Sequence, residues 1–373
     1  MRIGVPKEIK NHEYRVGLTP ASARELCAHG HELLVETGAG AAIGMSDAQY
    51  REAGATIAPD AATVFASSDM IVKVKEPQPR ECEMLREGQV LYTYLHLAPD
   101  SKQTAALVRS GAVCIAYETI TGPAGGLPLL APMSEVAGRM SVQAAASHLE
   151  KSKGGMGVLL GGVAGVPSAH VVIIGAGVVG TNAMQMAVGM GARVTVLDKS
   201  IDRLRQLDLV YGNRITTRYS TAASLEEAVL DADAVIGGVL VPGAAAPKLV
   251  TRDMVSRMKK GSVVVDVAID QGGCFETSRA TTHDEPTYLI DGVVHYCVAN
   301  MPAAVARTST LALNNATLPH AMALADKGWR DALRADSHLR RGLNVSGGKV
   351  THEAVARELD YEFVAPEIAL AST

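Results

Sequence analysis

The sequence predicts an α/β protein of two lobes, each built on a doubly wound and mainly parallel sheet. Short apolar runs alternate with helical segments along most of the 373 residues, which is the pattern of repeated βα units. Hydrophobic residues make up 47% of the chain and aromatic residues only 4%, so Ala, Val, Leu and Ile form the core, as in sheets buried on both faces. One βα turn carries the glycine spacing of a Rossmann-like fold.

The first lobe begins with five apolar runs, each of which predicts a strand. Between them, segments such as 19–30 and 100–111 open on a helix-capping residue and close at glycine, so we expect helices there. The stretch GPAGGLP is rich in helix and strand breakers and predicts a hinge. The five strands are expected at 2–6, 32–36, 70–75, 90–96 and 112–117.

A long helix is expected next, at 134–153 with Ser134 as its N-cap, and a second series of strands follows it. The pattern becomes helical again at 303–325, where Pro319 predicts a kink or a break. We therefore expect residues 1–128 and 305–373 to form a substrate-binding catalytic domain, interrupted by a dinucleotide-binding domain at 129–304, with the active site in the interdomain cleft. The second strand series is expected at 171–174, 194–197, 234–241, 263–269 and 288–298, with a break at Asp291 and Gly292 in the last.

The most specific motif is the run HVVII followed by Gly175, Gly177 and Gly180, with a second apolar run that ends on Asp198. The first glycine permits a tight turn, the second lets the backbone approach a pyrophosphate, and the third lets the next helix pack on the sheet. Asp198 is expected to accept hydrogen bonds from a ribose and to repel a 2′-phosphate, which favours NAD over NADP. Two alternatives stay open: glycines that only pack a helix, and a related nucleotide such as S-adenosylmethionine.

Three ionisable residues stand where predicted strands end: Lys75, His96 and Asp270. Ligands of open α/β sheets collect at the carboxyl ends of strands, so this convergence indicates a catalytic site. Each also has a structural interpretation, as a solvated strand end, a hydrogen-bonded core histidine and a turn former respectively. Arg15 lies in a polar loop after the first strand, where its guanidinium suits a carboxylate ligand, although a surface arginine is the alternative.

Composition excludes several classes of protein. A net charge of −4 provides no basic surface for nucleic acid, and no window approaches the apolar span of about 20 residues that crosses a bilayer. The first residues lack the pattern of a signal peptide, so we expect a cytoplasmic protein. The five cysteines are scattered, which is typical of reduced thiols, and neither they nor the eleven histidines have metal-ligand spacing, so no metal is expected.

Taken in order, the motifs resemble those of the alanine dehydrogenase/nicotinamide nucleotide transhydrogenase family, and the resemblance covers essentially the whole chain. So many motifs in one order are far more specific than the glycine turn alone. Besides that turn they are RIGVPKE at 2–8, EYRVGLTP at 13–20, VKVKEP at 72–77, YLHLA at 94–98, MSEVAG at 133–138, VDVAIDQGG at 265–273 and VANMP at 298–302.

The resemblance implies an NAD-dependent enzyme that interconverts L-alanine with pyruvate and ammonium, in a homo-oligomer that is typically a hexamer. It implies that Arg15 and Lys75 bind the substrate and that His96 and Asp270 are catalytic. An NAD(H)-binding subunit of a transhydrogenase and a non-catalytic NAD sensor are the alternatives. The resemblance also implies cofactor contacts from Ser134, Gly175, Gly177, Val178, Val179, Gly180, Asp198, Arg203, Ser220, Val239, Leu240, Val267, Asn300 and Met301, among which Arg203 departs from the lysine that relatives often carry.

Overall fold

Strands and helices alternate along the chain in the computed structural model, which describes residues 1–239 and 246–371. The strands in these ranges are β1 Arg2–Val5, β2 Glu32–Glu36, β3 Thr56–Ala58, β4 Met70–Val72, β5 Val90–Thr93, β6 Val113–Ala116, β7 His170–Ile174, β8 Arg193–Asp198, β9 Thr216–Tyr219, β10 Ala234–Gly237, β11 Val263–Asp266, β12 Thr287–Ile290, β13 Val293–Tyr296, β14 Leu343–Ser346 and β15 Lys349–Val350. The α-helices are α1 Pro20–Ala28, α2 Asp47–Glu52, α3 Ala61–Ser67, α4 Pro79–Met84, α5 Ser101–Ser110, α6 Ala131–His148, α7 Val178–Gly189, α8 Ile201–Tyr211, α9 Ala222–Asp231, α10 Arg252–Arg257, α11 Ala306–Lys327, α12 Trp329–Ala335, α13 Ser337–Arg340, α14 Glu353–Leu359 and α15 Pro366–Ala371.

The chain forms two units, the first from Met1–Met133 with Ala303–Thr373 and the second from Ser134–Pro302. The sheet of the first unit has the order β15-β14-β6-β5-β4-β1-β2-β3, in which β1 to β6 are parallel, β14 is antiparallel to β6 and β15 is antiparallel to β14. The sheet of the second unit has the order β12-β13-β11-β10-β7-β8-β9, with β12 as its antiparallel strand. The predicted fold class, two doubly wound and mainly parallel sheets, is confirmed.

Each sheet has a point at which the chain reverses its direction of growth. In the first unit β1 lies between β2 and β4, and in the second unit β7 lies between β8 and β10. Loops that follow the two strands of such a pair diverge to opposite faces and leave a crevice at the carboxyl edge of the sheet. The loops after β1 and β4, and those after β7 and β10, are therefore the places where each fold positions a ligand.

Aliphatic side chains on both faces of the second sheet form its core. On β7, Val171 and Ile173 pack in one cluster, while Val172 and Ile174 pack in another on the opposite face. This alternation explains why the strand reads as a continuous apolar run. All cysteines are free thiols: Cys27 is half-buried, and Cys82, Cys114, Cys274 and Cys297 are buried.

The helices predicted from capping residues are confirmed in the first unit. The Thr19 side chain accepts the Ser22 N–H at the start of α1, and Asp100 accepts the Gln103 N–H at the start of α5, which closes at Gly111 with φ +66°. Helix α11 runs continuously through Pro319, so the proline does not break it. None of the helices in the two described ranges is long and apolar enough to cross a bilayer.

The expectation that Ser134 caps a helix over 134–153 is wrong. Helix α6 covers Ala131–His148 and Ser134 lies inside it, because the carbonyl of Leu127 already accepts the N–H groups of Leu130 and Ala131 and starts the turn earlier. A separate 3₁₀ helix forms at Lys151–Lys153.

Strands β4, β5 and β11 end earlier than predicted, so Lys75, His96 and Asp270 lie beyond the strands that they were expected to end. Strand β4 ends at Val72, β5 at Thr93 and β11 at Asp266. Carboxylate side chains take the backbone N–H groups that a longer strand would have used: Glu8 accepts from Val74 and Lys75, Glu118 from Leu95 and His96, and Asp266 from Ala268.

Candidate functional site

The glycine turn after β7 is shaped partly by the chain's own packing. Gly175 has φ +94°, and a Cβ on Gly180 would lie 1.8 Å from the Gly175 carbonyl oxygen, so neither position tolerates a side chain. A Cβ on Gly177 would meet nothing within 4 Å. Internal packing therefore does not explain this glycine, whereas the approach of a pyrophosphate to the backbone does.

Helix α7 begins directly after this turn with Gly177 as its N-cap, and a glycine has no side chain that could accept the first N–H groups of the helix. The first N–H groups of a helix have no partner within the helix, and they bind anions readily. Val178 is exposed at the start of the helix, while Val179 is buried and lies against Gly238. The start of α7 therefore fits a phosphate group.

Asp198 and Arg203 hold the same residue of the glycine turn, Ala176, one through its N–H and the other through its carbonyl. The Asp198 carboxylate accepts the Ala176 N–H at 2.7 Å and the Ser200 N–H at 2.7 Å. The Arg203 Nε donates to the Ala176 carbonyl at 2.9 Å, and its Nη2 donates to the Thr181 hydroxyl at 2.7 Å. Because each carboxylate oxygen can accept a second hydrogen bond, these contacts are compatible with a ribose on Asp198.

Other residues predicted to bind the cofactor also follow strands of the second sheet. Ser220 follows β9 and donates its N–H to the Asp198 carbonyl at 2.9 Å. Val239 follows β10, and its side chain lies 3.1 Å from the place that a Cβ on Gly175 would occupy. Val239 therefore lies beside the glycine turn and Ser220 beside Asp198, while Leu240 lies outside the described residues.

The remaining residues of the second unit lie after β11 and β13 and in α6. Asp270 is exposed on a 3₁₀ helix at Val267–Gln271, which includes Val267 as its first residue. Asn300 has φ +61°, an unusual value for a residue other than glycine, and Met301 is buried. Ser134, in the first turns of α6, is half-buried.

In the first unit Arg15 follows β1 and forms a buried ion pair. Its Nε donates to Glu13 Oε1 at 2.7 Å, its Nη2 donates to Glu13 Oε2 at 2.5 Å, and its Nη1 lies 3.0 Å from Met133 Sδ. Burial lowers the pKa of the guanidinium, but the hydrogen bonds and charge of Glu13 outweigh burial and leave the pKa raised. The arginine is thus a fixed cation, and it is not the surface residue of the alternative interpretation.

Lys75 follows β4, the neighbour of β1 in the sheet. Glu8 Oε1 accepts the Val74 N–H at 2.7 Å and the Lys75 N–H at 3.3 Å, and the Lys75 carbonyl accepts from the Thr93 hydroxyl at 2.9 Å. These bonds fix the backbone of the lysine from both neighbouring strands.

Lys73 differs from Lys75 because it is fully buried and paired within the fold. Its Nζ lies 3.0 Å from Glu8 Oε2 and 2.6 Å from Glu81 Oε1, and none of the three side chains is accessible beyond a few per cent. Burial raises the pKa of the Glu8 carboxyl, although the charge of Lys73 opposes that effect. The three residues form a structural ion cluster under the loop that carries Lys75.

His96 follows β5 in a backbone conformation with φ +50°. Glu118, from the 3₁₀ helix after β6, accepts the His96 N–H at 2.5 Å, and its Oε1 lies 3.8 Å from the ring Nδ1. The imidazole stacks on the Tyr94 ring with centroids 5.7 Å apart, and 44% of its side chain is exposed. An imidazole that is accessible and held on one side is suited to proton transfer.

Lys75 and His96 follow neighbouring strands of one sheet, and Arg15 follows the strand on the other side of β4. Asp270 belongs to the second unit. The expectation that all four act on one substrate stays a prediction.

Sequence reasoning missed the carboxylates Glu8, Glu13 and Glu118. Glu8 and Glu118 follow β1 and β6, so the rule that selected Lys75 and His96, a polar residue after a strand, would also have selected them. Glu13 stands in the same polar loop as Arg15. The sequence therefore contained the positions of these residues, but acidic residues are so common in loops that position alone does not indicate a functional role.

Comparison with known proteins identifies one family over most of the chain. Residues 4–137 match the family description "Alanine dehydrogenase/PNT, N-terminal domain", and residues 141–353 match "Alanine dehydrogenase/PNT, C-terminal domain". The alanine dehydrogenase of Halomonas elongata is 63% identical over 364 residues, which cover 98% of this chain and 98% of that protein.

Solved structures show the same similarity. An L-alanine dehydrogenase is 51% identical with a TM-score of 0.94, covering 96% of this chain and 99% of the other. The transhydrogenase from Sinorhizobium meliloti is 26% identical with a TM-score of 0.81, covering 95% of this chain and 100% of the other.

Proposed function

Because the chain belongs to the alanine dehydrogenase/PNT family, we propose that it is an NAD-dependent L-alanine dehydrogenase, which converts L-alanine to pyruvate and ammonium and catalyses the reverse reductive amination. The observation that carries the proposal is the 63% identity to an alanine dehydrogenase over 98% of both chains. The polar residues after β1, β4 and β5 supply the groups that this reaction requires.

The second unit suits a nicotinamide dinucleotide. Gly177 leaves room for a pyrophosphate, the start of α7 offers N–H groups, and Asp198 stands at the end of β8 to accept ribose hydroxyls. The negative charge of Asp198 opposes a 2′-phosphate, so NAD is the proposed cofactor. When bound, NAD accepts a hydride from the substrate α-carbon at nicotinamide C4.

Arg15 and Lys75 hold the substrate. The guanidinium binds the carboxylate and the ammonium group of Lys75 binds the oxo group of pyruvate, which removes rotational freedom before the reaction. Glu13 fixes the plane of the guanidinium, and Glu8 fixes the backbone of Lys75.

His96 carries out the proton transfers, and Asp270 assists it without exchanging protons. After oxidation of the α-carbon the substrate is an iminium ion, and His96 takes a proton from the water that attacks it. The imidazolium returns this proton to the nitrogen of the carbinolamine. The C–N bond then breaks, the hydroxyl loses its proton as the carbonyl of pyruvate forms, and the ammonia that leaves takes up this proton as ammonium. Asp270 orients the reacting groups and balances their positive charge.

The assembly and location follow from the family resemblance and the cysteine pattern. We expect a homohexamer in the cytoplasm, with L-alanine, pyruvate and ammonium as the small-molecule partners. Light scattering of the purified protein measures the first point directly, and a mass other than six chains would contradict it.

The test is NADH oxidation by the purified protein with pyruvate, in the presence and absence of ammonium. We expect turnover only when both are present, and weaker turnover with other oxo acids. A transhydrogenase subunit would bind NADH without ammonium-dependent oxidation, since it passes the hydride to a partner protein. Binding of NADH without turnover of any oxo acid would instead indicate a sensor, and either outcome would overturn the proposal.

A further inference from the structure

Beyond the end of β5 at Thr93, the successive N–H groups of Leu95 and His96 both point at the carboxylate of Glu118. Glu118 Oε1 accepts the His96 N–H at 2.5 Å, and both carboxylate oxygens lie 3.2 Å from the Leu95 nitrogen. Successive N–H groups around a residue of positive φ form a concave binding site for an anion, and His96 has φ +50°. The conformation is uncommon for a residue with a side chain, so it persists because these bonds hold it.

The carboxylate is placed to act on the imidazole as well as on the backbone. Glu118 is largely buried, with 13% of its side chain exposed, and its Oε1 lies 3.8 Å from His96 Nδ1. That distance is too long for a hydrogen bond but short enough for the negative charge to stabilise an imidazolium. Tyr94 and His352 also sense this charge. Burial raises the pKa of the Tyr94 hydroxyl and Glu118 adds to that effect, whereas burial lowers the pKa of His352 and Glu118 opposes it.

The imidazole ring of His96 stacks on the ring of Tyr94. The two rings are nearly parallel, with 6° between their planes, and the Tyr94 hydroxyl donates to the Leu129 carbonyl at 2.5 Å. This ring therefore serves as a fixed surface against which the imidazole lies. With the backbone held by Glu118, the position of the imidazole is determined on two sides.

We propose that Glu118 is a positioning residue for His96: it holds the turn that presents the imidazole and stabilises the positive charge that the ring acquires. The inference deepens the proposed function, since it rests on His96 as the group that exchanges protons with the substrate. It adds to the reaction a residue that acts through His96.

The first test compares Glu118→Gln, Glu118→Asp and the wild type by steady-state kinetics of reductive amination. We expect kcat of Glu118→Gln to fall about tenfold to a hundredfold, while KM for pyruvate changes less than about twofold because Arg15 and Lys75 hold that substrate. Glu118→Asp keeps the charge, so it should recover part of the loss. An unchanged kcat, or a loss confined to KM, would overturn the proposal.

Asp69→Asn is the matched control. Asp69 also binds a backbone N–H with its carboxylate, that of Arg2 at 2.8 Å, but it does so at the start of β1, at the opposite edge of the same sheet. We expect wild-type kcat from this variant and the same unfolding temperature as for Glu118→Gln within a few degrees. If both variants lost activity together, the effect of Glu118 would be one of general stability.

Two further measurements separate this proposal from the role of His96 itself. Hydrogen–deuterium exchange of the 94–97 segment should be faster in Glu118→Gln than in the wild type, whatever the chemistry, and unchanged exchange would overturn the positioning role. In a His96→Gln background, adding Glu118→Gln should lower kcat no further, since residues that act as one unit are not additive. If His96→Gln alone retained full activity, the proposed function of His96 would be rejected. The hydrogen–deuterium exchange measurement would then test the positioning role of Glu118 by itself.

Discussion

At the scale of single residues, the candidate site is characterised by carboxylates that hold its cations and its imidazole. Glu13 binds Arg15 through two oxygens, Glu8 accepts the Lys75 N–H, and Glu118 accepts the His96 N–H. Each glutamate follows a neighbouring strand or lies in the same loop, so the sheet order decides which residue Glu8 and Glu118 hold. The site is thus pre-organised by charge pairs within the first unit.

Lys73 and Lys75 offer a paired prediction, because they have the same side chain in one loop but different surroundings. Lys73→Met leaves Glu8 and Glu81 buried without their cation, so we expect a loss of about 3–5 kcal/mol of unfolding free energy. Lys75→Met should lose turnover but stay within about 1 kcal/mol of wild-type stability. Urea titration and kinetics of both variants test this, and equal stability of the two would contradict the buried cluster.

The pH dependence of the Lys73→Met defect follows from the Glu8 carboxyl. Burial raises the pKa of the Glu8 carboxyl, so the folded state favours the protonated form of this group. The stability that the protonated carboxyl contributes is present at low pH and is lost as the pH rises through the pKa of Glu8 in the folded state. We therefore expect the defect to be smaller at about pH 5 than at about pH 8. If the loss of unfolding free energy caused by Lys73→Met increased as the pH was lowered, the assigned direction of the Glu8 effect would be wrong.

Asp198 yields a prediction about cofactor selectivity. Asp198→Asn keeps an oxygen for the Ala176 N–H but removes the charge that opposes a 2′-phosphate, so we expect the preference for NADH over NADPH to fall by about tenfold or more. Asp202→Asn removes the same charge from an exposed position on α8 and should leave the preference unchanged. The ratio of kcat/KM for the two cofactors is the measurement, and equal ratios in wild type and Asp198→Asn would reject the assigned contact.

At the scale of secondary-structure elements, sequence patterns located the interiors of strands and helices better than their ends. Helices α1 and α5 were predicted correctly because Thr19 and Asp100 cap them through local hydrogen bonds. Strands β4 and β5 were predicted too long because Glu8 and Glu118, distant in sequence, take N–H groups from the segments that follow them. Such a bond depends on sheet order, which a local pattern does not contain.

The same reasoning separates the parts of the site that could be found from those that could not. The glycine turn with Asp198 is a local motif, and Lys75, His96 and Asp270 were selected by their position after apolar runs. The function of Arg203 in holding the turn was not foreseen, because its contacts with Ala176 and Thr181 join residues far apart in the chain. Polar contacts between residues distant in sequence cannot be read from a local sequence pattern.

The cap of α5 provides a prediction at this scale. Asp100→Ala removes the acceptor of the Gln103 N–H, and we expect a loss of about 1 kcal/mol of unfolding free energy. Asp100→Asn retains a capping oxygen and should lose only a few tenths of that amount. Urea unfolding of both variants measures the difference, and an alanine variant as stable as the asparagine variant would show that the cap contributes nothing.

At the scale of the whole molecule, the proposed reaction needs residues from both units. The first unit supplies Arg15, Lys75 and His96 after strands on one side of its sheet, while the second supplies the glycine turn and Asp270. Neither set is sufficient for the chemistry, since one lacks a hydride acceptor and the other lacks the cations for a carboxylate. A variant that binds NADH but does not turn over pyruvate would therefore retain the cofactor-binding role proposed for the second unit and lose the substrate-binding role proposed for the first.

The overall reaction has a pH dependence set by its substrate. L-Alanine at neutral pH is an ammonium ion whose nitrogen has no lone pair, so it cannot stabilise the iminium ion that oxidation creates until it loses a proton. We expect deamination at saturating NAD to be faster at about pH 10 than at about pH 7. NADH binding, followed by fluorescence over the same range, is the control for cofactor affinity. A rate that stays flat across this range while binding is constant would mean that oxidation does not begin from the neutral amine, and the proposed order of proton and hydride loss would have to be reversed.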